Sequence, residues 1–359
     1  MINVTKTYLP DMNKFKNYID KIYETGWITN NGKCVNELEK RLKDYLGVKN
    51  LLLVSNGTMA LQIAYKLLKL KGEVITTPFS FVATTSSLVW EGLNPVFSDI
   101  NKNTFCIDPN KITDKITSNT SAILPVHTFG NGCEVELIDS ISKEYGLKVI
   151  YDAAHAFNIK YKNESILNYG DISIVSFHAT KIFHTIEGGA LIIKDDYLYE
   201  KARKIINFGI TGPDKIEELG INAKINEFQA AMGLCVLDDV DNEMNYRRVV
   251  YRRYESAFKN MKNIKLQEHN KNCNYNYGYF SIVLNDEKTV YKVKYELERH
   301  NIYPRRYFYP SLDKLNYIKS EYMEYSNNIS ERILCLPLYS TLSLQEQELI
   351  IDIIRKCIQ

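Results

Sequence analysis

The sequence predicts an α/β protein whose mostly parallel, mixed sheet is sandwiched by helices on both faces, with a smaller α+β unit behind it. Three observations carry that expectation. Short apolar runs recur between residues 51 and 193, as buried strands require. Stretches with apolar residues at spacings of three and four separate several of them. After about residue 240 the texture changes to a long, charged, tyrosine-rich helical pattern followed by an alternating strand candidate. The 359 residues leave room for two domains at a prior of about 150 residues each. The expected division is a large α/β domain over 1–237, N-terminal helices included, and a small C-terminal α+β domain over 238–359.

The elements follow in order. Phe15, Tyr18, Ile19, Ile22 and Tyr23 recur at helical spacing, as do Val35, Leu38, Leu42 and Tyr45, so two helices are expected between about Asp11 and Leu46. Between them lies a turn-rich stretch from Thr25 to Gly32. Strands are expected at Leu51–Val54, Glu73–Thr77, Asn94–Val96, Ala122–Val126, Val149–Tyr151, Ile172–Ser176 and Gly189–Ile193. Helical patterns cover 58–70, 80–91 and 134–145. Further on, Glu227–Leu237 and Asp238–Met261 read as helices, Tyr279–Leu284 as a strand and 287–300 as a helix. No repeat of fixed period and no low-complexity tract interrupts this order.

Composition removes several classes of function. Hydrophobic residues make up 45% and charged residues 25%, which excludes a disordered or collagen-like chain. Forty-five lysines and arginines against 43 acids give a net charge of +2, so nothing marks a nucleic-acid or anionic-membrane partner. A local basic cluster can still hold a small phosphorylated ligand. Cysteines stand at 34, 106, 133, 235, 273, 335 and 357 without a Cys-x-x-Cys pair, so no metal site is expected. The odd, scattered count reads as reduced thiols in the cytoplasm. Met1–Lys6 lacks the apolar core of a signal peptide, and the apolar runs fall far short of the about 20 residues that cross a bilayer.

Three segments carry chemistry. Ser55-Asn56-Gly57-Thr58 follows one strand and opens a helix, where free N–H groups and the helix dipole favour an anion; an ordinary N-cap would look the same. Asp152 ends the strand Val149–Tyr151 and is followed by Ala153-Ala154-His155-Ala156. Open α/β sheets place ligands at that end, although a structural aspartate also fits. Lys181 follows the next strand through Ser176-Phe177-His178-Ala179-Thr180 and precedes Glu187-Gly188-Gly189. Desolvation there would lower its pKa and make it a better nucleophile than a solvated loop lysine. An anion cup, a strand-end carboxylate and an amine able to form a Schiff base, in this order, are the groups that pyridoxal phosphate needs at its phosphate, ring nitrogen and aldehyde carbon.

With these segments in place the sequence resembles the sugar aminotransferases of the DegT/DnrJ/EryC1/StrS family, pyridoxal-phosphate enzymes of fold type I. The resemblance spans nearly the whole chain. It rests on Gly26-Trp27-Ile28-Thr29 with Gly32, Ser55–Leu61, Thr77–Thr84, Pro125–Gly130, Asp152–Ala156, Ser176–Lys181, Glu187–Gly189 and Asn222–Ala231. It implies that Lys181 forms the Schiff base and carries the proton, and that Asp152 pairs with the ring nitrogen. Phe81 and Ala154 would lie on the two faces of the ring. Gly57, Thr58 and Ser176 would hold the phosphate, and His155 would sit near the ring hydroxyl. Asn222 would reach the phosphate of a neighbouring subunit, making a homodimer with shared active sites.

Two departures stand out. Lys224 occupies a position where the family often has arginine, and it lacks arginine's bidentate fork. Phe177-His178-Ala179-Thr180-Lys181 replaces the commoner Phe-x-x-x-Lys-Asn-Leu, a mark similar to enzymes acting on 4-keto-6-deoxy sugars attached to thymidine diphosphate. His127, His178 and His184 read as structural. Arg305, Arg306, Tyr307 and Tyr309 form either a solvated loop or a contact for the nucleotide diphosphate, with Arg305 and Tyr307 as the substrate-binding candidates. The implied reaction moves an amino group from L-glutamate to a nucleotide-linked ketodeoxysugar, giving a 4-amino-4,6-dideoxyhexose for a cell-surface polysaccharide such as an O-antigen. The alternatives are a 3-ketosugar aminotransferase, a sugar dehydratase using the same cofactor, and a non-catalytic family member.

Overall fold

A computed structural model describes residues 1–358. Seven strands form the central sheet: β1 (Leu51–Val54), β2 (Glu73–Thr76), β3 (Asn94–Phe97), β4 (Thr120–Leu124), β5 (Lys148–Asp152), β6 (Ile172–Ser176) and β7 (Gly189–Ile193). Their spatial order is β1-β7-β6-β5-β4-β2-β3. Every pair is parallel except those of β7, which runs antiparallel to both β1 and β6. The sheet is therefore mostly parallel and mixed.

Period-two alternation sends these strands' side chains into two separate cores. Leu51, Leu53, Val149, Tyr151 and Ile192 join helices α2 (Lys33–Leu46), α5 (Val135–Tyr145) and the first half of α7 (Glu227–Phe258). Leu52, Val54, Ile150, Ile174 and Leu191 face α3 (Gly57–Leu67), α4 (Val82–Trp90) and α6 (Asp196–Ile205). Each fully buried leucine or isoleucine contributes about 1.5–3 kcal/mol, which accounts for the apolar weight of these runs on both faces. The N-terminal helix α1 (Met12–Thr25) starts at Asp11, whose carboxylate accepts from Asn13 and Lys14 N–H, and ends at Gly26 in the left-handed region.

The two helical patterns on either side of residue 237 are one continuous helix, α7. Asn226 caps it in a reciprocal box with Gln229, and no glycine or proline interrupts residues 234–258. The expected 237/238 division thus falls inside a rod. Its second half supplies Val250, Tyr251, Tyr254 and Phe258 to a third core. That core is shared with β8 (Ile264–Leu266), β9 (Ser281–Leu284), α8 (Glu287–Arg299), β10 (Ile333–Cys335) and α10 (Leu344–Ile358), and the three strands pair in the order β8-β9-β10. Between them α9 (Glu324–Arg332) is pinned to the large sheet by Asp99, which accepts from Tyr325 N, Ser326 N and Ser326 Oγ.

The N-terminus of α7 is tied to that of α2 by a single buried carboxylate. Glu227, 2% exposed, accepts from Cys34 N at 2.9 Å and Val35 N at 3.0 Å. Gly32 leaves the space it needs, because a Cβ there would lie 2.5 Å from Glu227 Cδ. Charge-assisted bonds to helix N–H groups contribute about 1.5–3 kcal/mol each. Glu227→Ala is therefore expected to lower stability by about 2–4 kcal/mol in urea denaturation, and a loss below about 0.5 kcal/mol would contradict this account.

Candidate active site

The C-terminal ends of β1, β5 and β6 and the start of β7 surround a cavity of about 400 Å³. Gly57, Thr58, Phe81, Asp152, Ala154, His155, Ser176, Lys181, Arg305 and Tyr307 all line it. Of the residues singled out from the sequence as holding the cofactor, Asn222 alone does not line the cavity of its own chain.

The β1–α3 turn makes the anion cup. Asn56 caps α3, its side chain accepting from Met59 N at 2.8 Å and its carbonyl from Ala60 N. The N–H groups of Gly57 and Thr58 keep no protein acceptor among the described residues. Ser176 stands opposite: a Cβ on Gly57 would come within 3.2 Å of Ser176 Cβ. Gly189 closes the turn from β7, where a Cβ would sit 2.7 Å from Asn56 C and 2.8 Å from Gly57 N, both backbone atoms. Only glycine at 189 lets the strand approach so closely.

Asp152 is buried at the end of β5. Thr84 Oγ1 donates to its Oδ2 at 2.7 Å, and Ala154 N donates to its Oδ1 at 3.1 Å. Because the Thr84 proton points at the carboxylate, Ser80 Oγ must donate to Thr84 Oγ1 at 2.7 Å. Burial pushes the Asp152 pKa up; the bonds from Thr84 and Ala154 and the field of Lys181 pull it back.

Lys181 follows β6 through a turn in which its N–H donates to the His178 carbonyl. Its Nζ donates to Tyr279 Oη at 3.2 Å. Desolvation lowers its pKa from 10.5 to about 8, against the opposing fields of Asp152 and Tyr307. His155 accepts from Phe129 N through Nδ1, so in its neutral form the proton sits on Nε2. Burial lowers the His155 pKa strongly, which makes the neutral form the resting one. An N–H donor, an ammonium with a depressed pKa, a buried carboxylate and free helix N–H groups around one cavity fit pyridoxal phosphate.

The cavity also holds residues to which the sequence reading gave no role. Thr84 lies inside a quoted motif, so its spacing was a usable signal, whereas Tyr279 and Phe308 come from the small lobe and carried none. His178, read as structural, lines the cavity mouth, with Nε2 3.4 Å from Glu187 Oε1 and Nδ1 accepting from Thr180 N. His184 is bonded at both nitrogens, to the Tyr8 carbonyl and Ile186 N, and His127 Nδ1 accepts from Cys133 N. The basic aromatic stretch divides. Arg305 lines the cavity, but Arg306 turns away to pair with Glu287 at 2.8 Å and lie over the Tyr309 ring at 3.5 Å. Asn222 is exposed and does not cap α7; Lys224 Nζ donates to its Oδ1 at 2.8 Å.

Comparison with known proteins shows the family. The model of the DegT/DnrJ/EryC1/StrS aminotransferase family matches residues 11–355. A dTDP-4-amino-4,6-dideoxy-D-glucose transaminase of Shigella dysenteriae is 40% identical over 361 residues, covering 99% of this chain and 98% of its own length. One from Escherichia coli is 38% identical, covering 98% and 96%. Among solved structures, DesI, determined in the presence of its TDP-sugar product, superposes with a TM-score of 0.94 at 29% identity, covering 99% of this chain and 93% of its own. Helicobacter pylori PseC shares the fold, with a TM-score of 0.92 at 24% identity and coverage of 99% of both chains.

The Lys181 shift has a stability consequence whose sign follows from linkage. With a folded pKa of about 8 against 10.5, the unfolded chain binds the extra proton between those values. Stability of the cofactor-free protein therefore rises with pH across that window, and the penalty is fully present below it. Lys181→Met is expected to melt higher than the wild type at about pH 7, with the advantage shrinking as pH approaches 10.5. Thermal melts across that range check it; a constant difference contradicts the shift.

Proposed function

We propose that this chain, which belongs to the DegT/DnrJ/EryC1/StrS aminotransferase family, moves an amino group from L-glutamate to a nucleotide-linked ketodeoxysugar. One observation carries the reading: a lysine amine and a buried carboxylate share a cavity that opens at a helix N-terminus. The full-length likeness to the dTDP-4-amino-4,6-dideoxy-D-glucose transaminases supports a dTDP-4-keto-6-deoxyhexose as acceptor and a 4-amino-4,6-dideoxyhexose as product. Such a product suits a cell-surface polysaccharide such as an O-antigen. The seven free thiols suit a reducing, cytoplasmic setting. No helix among the described residues is long and apolar enough to cross a membrane.

Pyridoxal phosphate, on which the family depends, supplies when bound an aldehyde carbon that condenses with amines and a ring that takes up electrons. The residues of this chain do the rest. Gly57, Thr58 and Ser176 bind the phosphate with N–H and hydroxyl donors. Asp152 would hold the proton on the ring nitrogen, because burial raises the cost of its charge and a cation beside it offsets that cost. His155, with its proton on Nε2, would donate to the ring hydroxyl, and Phe81 and Ala154 would close the two faces. With a pKa of about 8, Lys181 Nζ is partly neutral at working pH, so it can attack a carbon and later accept and return the substrate's proton. Arg305, with Tyr307 beside it, faces the diphosphate from the mouth of the cavity.

The reading includes a homodimer. Asn222 is exposed beside Phe208 and Ile221, and the neighbouring hairpin carries Ile216 and Leu219 at 72% and 87% exposure. Exposed apolar side chains of this kind suit a second copy of the chain, whose phosphate site Asn222 would complete reciprocally across a twofold axis.

Purified protein assayed with glutamate and a panel of dTDP- and UDP-linked 4-keto and 3-keto sugars is expected to aminate the dTDP-4-keto-6-deoxyhexose, and Lys181→Ala is expected to abolish turnover while remaining folded. Amination confined to a 3-ketosugar would move the assignment to that alternative, and near-wild-type turnover by Lys181→Ala would overturn the role of the lysine. Mixing inactive Lys181→Ala with an inactive Asn222→Ala variant is expected to restore activity, because the heterodimer holds one undamaged site. Confirmed subunit exchange without recovery would exclude a shared site.

A further inference from the structure

Tyr279 is the one hydrogen-bond partner of the Lys181 amine among the described residues, its phenol oxygen accepting from Nζ at 3.2 Å. The tyrosine stands just before β9, in the small lobe. Its ring packs against His155, Phe129 and Tyr307, with centroids at 4.6, 5.3 and 6.2 Å. Its backbone is held too. The Tyr275 hydroxyl lies 3.0 Å from the Phe129 carbonyl and 3.1 Å from that of Tyr279, bridging the two lobes. Asn276 fastens the same segment, donating to the carbonyls of His155 and Phe157 and accepting from Gly278 N. A phenol tied down at so many points is a fixed reference for a lysine with four rotatable bonds.

The chemistry of the contact suits an amine that must act twice. A neutral amine attacks, or accepts a proton, through its lone pair. A carboxylate against Nζ would keep the nitrogen charged. A neutral phenol accepts an N–H from the charged amine without adding a charge that would hold the proton there. Burial raises the Tyr279 pKa, so the phenol stays neutral and does not compete as a base.

We propose that Tyr279 is a positioning residue for amino transfer, its phenol oxygen holding Nζ of Lys181 in place beside the reacting carbons. The tyrosine exchanges no proton: the proton leaves the substrate carbon for Nζ and returns from Nζ. The inference rests on the role of Lys181 given above.

Tyr279→Phe keeps the packed ring and removes only the hydroxyl. In the glutamate half-reaction kcat is expected to fall about tenfold to a hundredfold with KM within about twofold, since the lost contact orients the amine without binding substrate. Glutamate deuterated at its α-carbon should show a larger isotope effect than with the wild type, because proton transfer becomes the slow step. A readout apart from turnover is capture of added pyridoxal phosphate by the cofactor-stripped full-length protein, followed by visible absorbance. Capture should slow about tenfold while reaching the same final amplitude. A kcat and an isotope effect both within about twofold of wild type would overturn the proposal. Should Tyr279→Phe unfold, 3-fluorotyrosine at 279 keeps ring and hydroxyl but weakens the oxygen as an acceptor. A raised isotope effect then supports the anchor, and an unchanged one removes it. Lys181→Ala separates the two levels: its inactivity beside an unaltered Tyr279→Phe would sink this inference alone.

Discussion

Two opposite charges, Asp152 and Lys181, share one cavity without a direct ion pair, and much of the architecture follows from keeping them apart. Burial drives both toward their neutral forms, and each one's field partly offsets that for the other. A salt bridge between them would satisfy both and leave neither available for a ligand. Instead Thr84 and Ala154 N occupy the carboxylate and Tyr279 occupies the amine. Neighbouring parallel strands deliver the two groups. Asp152 ends β5 in register with Ile174 of β6, and Lys181 follows β6 by one short turn.

The lobes meet at the same place. Phe79, Phe105, Phe129 and Phe308 pack at near-perpendicular or stacked angles in a cluster that also takes Val283 and Cys335 from the small sheet. Tyr279 and Phe308 line the cavity from this cluster, so the small lobe contributes part of the cavity wall and its position sets where those side chains stand.

What could be read in the sequence was what local physics determines. Strands β1, β6 and β7 have the bounds expected of apolar runs buried on two faces, and Asp152 and Lys181 stood out because strand ends in open α/β sheets face ligands. The single rod of α7 was legible only in part. Asn226 and Gln229 announce its start, while the change in texture near residue 238 reflects a change of environment and leaves the backbone unbroken. Of the basic aromatic stretch, Arg305 and Tyr307 were the expected substrate contacts and both line the cavity, while Arg306 turns away, because extended backbone sends neighbouring side chains to opposite sides. Tyr279 was beyond reach: one of 26 tyrosines, it acquires its meaning from a partner 98 residues away in the chain.

The antiparallel strand β7 has a consequence for the order in which the molecule is made. β1 lies at the sheet edge and pairs only with β7, the last of the seven strands to leave the ribosome. The turn that forms the anion cup is likewise braced by Gly189 at the start of that strand. During synthesis Leu51–Val54 must therefore wait, apolar and unpaired, while the five intervening strands emerge at about 5–20 residues per second. Parallel strands β2 to β6 can assemble among themselves in that interval, but the sheet stays open at β6 until β7 slots between it and β1. The ligand cup is thus the last part of the large sheet to be completed, so a chain truncated before residue 189 carries six of that sheet's seven strands but not the strand that closes the cup.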